Sequence, residues 1–501
     1  MSVQGYNPRT GKPYGEPVEA TSDTEVDQLC EAAARSFRVW SGWLDADRAT
    51  VLDLVADRLD DESVLLIDTA DAETALGIPR LTTELKRTTN QLRLFADVLR
   101  EGSYVEAMLD SPSPDIIPPR PDLRRVLRPL GVVAVYSASN FPFALSTVGS
   151  DTASALAAGC AVVVKAHSAH PNTTRETGRV VSAALAEGGA PDGLFAVIYG
   201  TQSGVRLVQH PHVKAAGFTG SIGGGRALYD LANSRPDPIP FYGELGSVNP
   251  TVILPDAAAD RPEEIAKGFA QSVTMGVGQF CTNPGLVFAP PSIVVALAGA
   301  VKQATGGAML NERMCDSYRS TVDAMSNSDL VELVATGAAP DEAWVGAPNL
   351  FRTSLDVFES NLEKLTEENF GPAGLVVTYD DPAAVLALIP RLPGTLTGTV
   401  HASDSEHELA SRTAVELQKI AGRLIYNGWP TGIALAWAMQ HGGPWPATTN
   451  TSHTSIGVPG IYRWLAPVTY QTWPDALLPP ELQDANPLGI TRRRDGVLDK
   501  H

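Results

Sequence analysis

Gly131-Val-Val-Ala-Val-Tyr136 and Ala161-Val-Val-Val-Lys165 are short, unbroken apolar runs. Neither alternates apolar with polar residues, and both are too short for a buried helix, so they read as strands covered on both faces. A stretch rich in small residues, ending at Ala158, separates them, and a further helix is predicted to start near Asn172. Leu194–Tyr199 and Ala215–Phe218 repeat the pattern. Doubly buried strands alternating with helices predict a parallel α/β sheet with right-handed crossovers. Ligands of such sheets sit beyond the carboxyl ends of the strands. Asn140, Lys165, Gly200 and Thr219-Gly-Ser221 occupy those positions.

Upstream, residues 22–109 read as three helices: one capped by Ser22 and Asp23 with Val26, Leu29 and Ala33 on a face, one with Leu52, Val55 and Leu59, and Leu81–Glu101. Ser111–Pro121 holds five prolines and is excluded from helix and from a central strand. Downstream, a second α/β unit begins at Thr251-Val-Ile-Leu254 and runs to about Trp445. An alternating strand, Val468–Thr472, and a polar tail with Arg492-Arg-Arg494 close the chain.

The 501 residues, 44% apolar and 19% charged, allow several domains with sizeable cores. A net charge of −19 argues against nucleic acid as a partner. No apolar stretch reaches the roughly 18 residues of a membrane span, and residues 1–10 lack the order of a signal peptide, so a cytoplasmic setting is expected. Cys30, Cys160, Cys281 and Cys315 form no disulfide or zinc framework. The nine histidines are scattered without a His–carboxylate motif, so no metal site is expected.

Gly278-Gln-Phe-Cys-Thr282 places one cysteine in a short loop where backbone N–H groups can stabilise a thiolate and a developing oxyanion. Glu244, in Gly243-Glu-Leu-Gly246, has the chemistry of a general base. Asn140, in Ser139-Asn-Phe-Pro142, can offer an amide to an oxyanion. Phe218-Thr-Gly-Ser-Ile-Gly-Gly-Gly-Arg226 opens a helix and can present free N–H groups to an anion.

In this order, with strand-end Lys165 and Glu368-Asn-Phe-Gly-Pro372, these motifs resemble the aldehyde dehydrogenase superfamily over nearly the whole chain. Asn427-Gly-Trp-Pro-Thr-Gly432, His441-Gly-Gly-Pro-Trp-Pro-Ala-Thr448 and the Tyr470–Pro479 segment are similar to the branch holding α-ketoglutaric semialdehyde dehydrogenases and an NADP-dependent fatty aldehyde dehydrogenase. The resemblance implies an aldehyde-dehydrogenase-like α/β fold: two Rossmann-type parallel α/β domains plus a small β oligomerisation arm. It implies a cofactor domain (1–107 and 131–246), a catalytic domain (247–447), and an arm and C-terminal strand region (108–130 and 448–501). That arm would pair with a second copy in a homodimer or homotetramer.

The resemblance also implies roles. Cys281 attacks the aldehyde, Asn140 and the Cys281 N–H hold the oxyanion, and Glu244 activates water to hydrolyse the thioester. Glu368 and Phe370 hold the nicotinamide riboside, Lys165 the adenosine ribose, and Gly200, Gly220 and Ser221 the remaining dinucleotide. Three departures stand out: Ser139, Ser247, and Lys165-Ala-His-Ser168, where many relatives carry a glutamate at the fourth position. A carboxylate there would repel a 2′-phosphate. Ser168 leaves room, with Lys165 and His167 offered as positive charge, so NADP is expected over NAD, which stays possible. For the substrate, Arg87, with Thr83 one turn earlier, would meet the far carboxylate of a semialdehyde. Phe143, Phe280 and Trp437 would instead line a tunnel for longer, fatty aldehydes. From other classes, a cysteine hydrolase or a catalytically silent binding protein is the alternative.

Overall fold

The computed structural model describes residues 2–499. The opening runs become adjacent parallel strands, Val132–Tyr136 and Ala161–Lys165. Their sheet has five strands, all parallel, in the order Phe195–Ile198, Ala161–Lys165, Val132–Tyr136, Val213–Thr219, Phe241–Glu244. Helices Pro171–Glu187, Thr201–Gln209 and Ile222–Asn233 make crossovers, and all five residues of the central strand are buried. The chain leaves Val132–Tyr136 to one side and returns at Val213–Thr219 on the other. The strand order therefore reverses between these two, which opens a crevice at their carboxyl ends.

The N-terminal region holds four helices where periodicity separates three: Asp23–Trp40, Asp45–Asp61, Ser63–Thr74 and Ile78–Glu101. Ser63–Thr74 escapes notice because its buried residues, among them Leu66, Ile67, Ala70 and Glu73, wrap around it and leave little periodic contrast. Ala75 in the left-handed region, with φ of 55°, ends it. Glu73 is fully buried and accepts from the backbone N–H of Asn172 (3.0 Å) and Thr173 (2.7 Å) and from both of their side chains. A carboxylate thus closes the N-terminus of the helix that follows Lys165.

A seven-stranded sheet runs in the order Glu332–Thr336, Asn349–Ser354, Ala373–Thr378, Leu286–Ala289, Thr251–Ile253, Thr395–His401, Ala421–Tyr426. Only the edge pair Glu332–Thr336 with Asn349–Ser354 is antiparallel. A third sheet gathers Leu465–Gln471, Leu123–Pro129, Met108–Asp110, Arg492–Arg494 and Val497–Asp499. The C-terminal strand Leu465–Gln471 pairs with Leu123–Pro129, so the two segments of the expected arm share one sheet, with the other edge of that strand open. One expectation changes here. The arginine triplet, expected as polar tail, is a strand paired with Met108–Asp110, with Arg492 buried.

Replacing Glu73 by alanine strands four buried donors. We expect a loss of roughly 3 kcal/mol in unfolding free energy, read as a lower urea midpoint at unchanged slope.

Candidate active site

Strand Phe241–Glu244 ends at Glu244, whose backbone carbonyl accepts from Gly220 N–H (3.0 Å). Leu245 N–H then donates to Ala447 O (2.8 Å), so strand end and C-terminal loop meet at this point. The Glu244 side chain is enclosed, and one oxygen lies 2.9 Å from His441 Nε2 while the other accepts from the Ser455 hydroxyl. His441 Nε2 is also 3.4 Å from Cys281 Sγ. Ligand atoms of Glu244, Cys281 and His441 all fall within 4.8 Å of one another. This corrects the expectation that no His–carboxylate cluster exists: Glu244 and His441 are distant in sequence and only the fold joins them. Because Nε2 serves both neighbours, its proton best faces the carboxylate. His441 Nδ1 has no partner among the described residues.

Cys281 is buried, against the polar loop its sequence suggested, with Leu396 and Ala447 beside it. Burial first, and then the Glu244 carboxylate, push its thiol well above the ordinary range. The His441 and Ser455 contacts outweigh desolvation at Glu244 and hold its carboxyl below the ordinary range. The resting pair is thiol and carboxylate. Burial also raises the other cysteines, Cys30 to about 12 and Cys160 to about 11. What singles out Cys281 is therefore its neighbours, since Cys315 too is buried and raised.

Asn140 Nδ2 donates to Gln279 O at 3.0 Å, which fixes the amide plane and leaves one N–H free. Cys281 N–H makes no hydrogen bond among the described residues. The Cys281 loop itself hangs on Asn249, a fully buried residue with φ of 50°. Its Nδ2 donates to Cys281 O (2.8 Å) and Asn283 O (2.9 Å), and its Oδ1 accepts from Ser247 Oγ (2.8 Å) and Thr397. Ser247, the departure from the usual glycine, thereby gains a reason. Gly278, with φ of +68°, has no alternative: a Cβ there would lie 2.2 Å from the Gly371 backbone.

The residues proposed for a dinucleotide surround the crevice. Gly200, with φ of +101°, caps helix Thr201–Gln209. Ser221 caps helix Ile222–Asn233 by accepting from Gly224 N–H (3.3 Å), and the Gly223 position is open. Gly220 has already committed its N–H to Glu244, so a phosphate would have to use the helix beyond it. Lys165 is half-buried, with its ammonium lowered by desolvation alone, and Ser168 is exposed. His167 does not supply charge as expected. Burial, followed by His170 and Lys165, drives its imidazole far below the ordinary range, and its Nδ1 accepts from Ala169 N–H (3.1 Å). Glu368 is exposed at the cleft, and desolvation by the surrounding chain pushes its carboxyl up to about 7. A Cβ on Gly246 would stand 2.6 Å from it. Phe370 and Glu368 border a cavity of about 320 Å³ behind this loop. Open amides at a helix start, an unpaired lysine and a glutamate at the mouth fit a dinucleotide phosphate and its ribose.

On the substrate side, Arg87 is half-buried above Phe141 (5.8 Å to the ring centre). Its Nε and Nη2 are buried without a partner, and Glu84, Cys281 and Glu244 all act on its charge. Thr83 is exposed and donates to Pro79 O (3.0 Å) on its own helix. Phe143 is fully buried in the core of the first sheet, so it lines nothing. Phe141 takes its place, packed edge-on to Phe280 at 5.1 Å. Trp437 is 46% exposed, and Ile433 and Leu435 of the same loop turn inward to the Phe141–Phe280 cluster instead. The sequence reading missed His441, Ser455, Asn249 and Phe141. His441 alone carried a signal, as the head of a glycine–proline motif.

The aldehyde dehydrogenase family profile matches residues 1–444. The chain belongs to the aldehyde dehydrogenase family. It is 41% identical to the α-ketoglutaric semialdehyde dehydrogenase of Acinetobacter baylyi, covering 100% of this chain and 96% of that one. It is 42% identical to α-ketoglutaric semialdehyde dehydrogenase 2 of Azospirillum brasilense, covering 99% and 96%. Among solved structures, a mutant aldehyde dehydrogenase C from Pseudomonas syringae, in complex with NAD+ and octanal, superposes with a TM-score of 0.80 at 21% identity, covering 94% and 93%. The fold of this aldehyde dehydrogenase is thus the family's α/β fold with parallel-strand sheets. No described helix is long and apolar enough to cross a membrane.

Since Glu244 raises the Cys281 thiol, Glu244→Gln is expected to increase the thiolate fraction at neutral pH. Iodoacetamide alkylation of Cys281 in the cofactor-free enzyme should then be several-fold faster at pH 7, with the pH–rate midpoint displaced downward. An unchanged midpoint would remove Glu244 from the thiol's surroundings.

Proposed function

We propose that this aldehyde dehydrogenase oxidises α-ketoglutaric semialdehyde to 2-oxoglutarate with a preference for NADP. The observation that carries the substrate is Arg87. A guanidinium whose Nε and Nη2 are buried without an acceptor among the described residues is costly unless a ligand brings the missing hydrogen-bond acceptors. A carboxylate at the far end of the aldehyde meets that need in a geometry suited to a planar fork. The full-length similarity to semialdehyde dehydrogenases supports the same substrate. The apolar cluster of Phe141, Leu145, Phe280, Ile433 and Leu435 favours a second reading, oxidation of fatty or assorted aldehydes.

The chemistry follows from the cluster. Sγ attacks the carbonyl as the thiolate, its proton having been released to solvent, and His441 Nε2 lies 3.4 Å from the sulfur. The free N–H of Asn140 and the unengaged N–H of Cys281 receive the oxyanion of the thiohemiacetal. The bound nicotinamide would supply the hydride acceptor. Glu244, a carboxylate until this step and held by His441 and Ser455, then draws a proton from the water that cleaves the Cys281 thioester. Lys165 and Ser168 would receive a 2′-phosphate, Ser221 and the helix behind it the pyrophosphate, and Glu368 the nicotinamide ribose. We assign residues 1–107 and 131–246 to cofactor binding, 247–447 to catalysis, and the remaining segments to a cytoplasmic homo-oligomer's interface.

Arg87→Ala should raise KM for the semialdehyde at least about tenfold, as befits a lost charge-assisted pair, and leave that for hexanal within about twofold. Equal KM values for the semialdehyde in wild type and variant would transfer the reading to fatty aldehydes. Ser168→Glu should reverse the cofactor order, lowering kcat/KM with NADP and sparing NAD. A wild-type enzyme that favours NAD would overturn the NADP reading.

A further inference from the structure

Helix Ile78–Glu101 contributes no reacting group, yet it touches both loops that do. Arg80 Nη2 donates to the backbone carbonyl of Asn140 at 2.6 Å. The same guanidinium lies 5.1 Å over the Phe141 ring and 4.8 Å over that of Phe280. Phe141 follows the amide donor Asn140, and Phe280 precedes the nucleophile Cys281. One cation therefore sits where the two loops meet, bonded to one and stacked on both. One turn further on, Glu84 accepts from the N–H groups of Phe143 (2.9 Å) and Ala144 (3.1 Å) and faces Arg80 at 3.8 Å. Residues 140–144 are thus gripped at both ends by side chains of a single helix. The nucleophile loop is shaped to admit the cation: a Cβ at Gly276 would stand 2.5 Å from Arg80 Nη1.

We infer that Arg80 is the positioning residue of the oxyanion hole, setting the distance between the Asn140 amide and Cys281. This rests on the reading of Asn140 as an oxyanion donor. Asn140 spends one N–H on Gln279 O, which belongs to the Cys281 loop, so any slide of one loop against the other re-aims the remaining N–H. Misplacing a donor by about 1 Å costs up to roughly 100-fold in rate, the order of losing a donor outright. Arg80, with Nη2 bonded to Asn140 O and Nη1 left without a partner among the described residues, thereby acts on kcat, while Arg87, which makes no hydrogen bond to either loop and leaves Nε and Nη2 unpartnered, acts on substrate binding.

The test uses the full-length enzyme with its cofactor and the semialdehyde, comparing Arg80→Met, Arg80→Lys, Asn140→Ala and the Arg80→Met/Asn140→Ala pair. The expected result is that Arg80→Met lowers kcat about 10- to 100-fold with KM within about threefold. Cys281 alkylation by iodoacetamide should stay at the wild-type rate, and Arg80→Lys, which keeps one donor, should recover most of the loss. The double variant should be no slower than Asn140→Ala alone, because the donor that Arg80 aims is gone. Multiplying losses in the double variant would overturn the proposal, as would a rise in KM at intact kcat, which would put Arg80 on the substrate. A wild-type kcat for Asn140→Ala would overturn the parent reading of Asn140, and the proposal with it.

Discussion

The site depends on the buried amide of Asn249. Its two N–H bonds hold the carbonyls of Cys281 and Asn283, and its oxygen is held in turn by Ser247 and Thr397. Because the residue is fully buried, every one of these bonds forms without competition from water. Ser247 bonds Thr395 Oγ1 (2.6 Å) and accepts from Leu396 N–H (2.9 Å), which carries the constraint to the strand Thr395–His401. The nucleophile is consequently carried by a loop that is tied through Asn249 and Ser247 to a sheet strand. Anchoring of this kind is what a preorganised oxyanion hole requires.

Placing a nucleophile there creates an electrostatic problem. Burial and the adjacent Glu244 both favour the thiol over the thiolate. Positive charge nearby is supplied by Arg87 and by Arg423, whose guanidinium donates to Pro430 O and Gly432 O and still acts on the thiol. The net charge of −19 hides this arrangement, in which Arg80, Arg87 and Arg423 lie close to Cys281 and its loop. The proposed ligands are anions, and local cations draw them in against the bulk field.

Much of this was legible in the residue order. The runs at 131–136 and 161–165 specify the parallel sheet because strands buried on both faces must be apolar throughout. Cys281, Glu244 and Asn140 each carry little signal alone and stand out through the order of their motifs, which resembles that of the aldehyde dehydrogenases. His441, Ser455 and Asn249 did not, since a polar residue is given its role by the partner the fold brings to it. The same reason explains the misplaced aromatics. Phe141 and Phe143 are two residues apart on a loop, and the fold sends Phe143 into the core of the first sheet and Phe141 to the cluster around Phe280. His167 shows the converse, a half-buried basic residue whose imidazole is pushed below the ordinary range by desolvation.

The account's central claim is that Cys281 carries the acyl group and Glu244 releases it. The direct measurement is mass spectrometry of rapidly quenched Glu244→Gln enzyme after mixing with NADP+ and α-ketoglutaric semialdehyde. The account predicts about one equivalent of acyl adduct on the peptide containing Cys281, accompanied by a stoichiometric burst of reduced cofactor and little further turnover. Full steady turnover without an adduct, or an adduct on Cys30, Cys160 or Cys315, would contradict it.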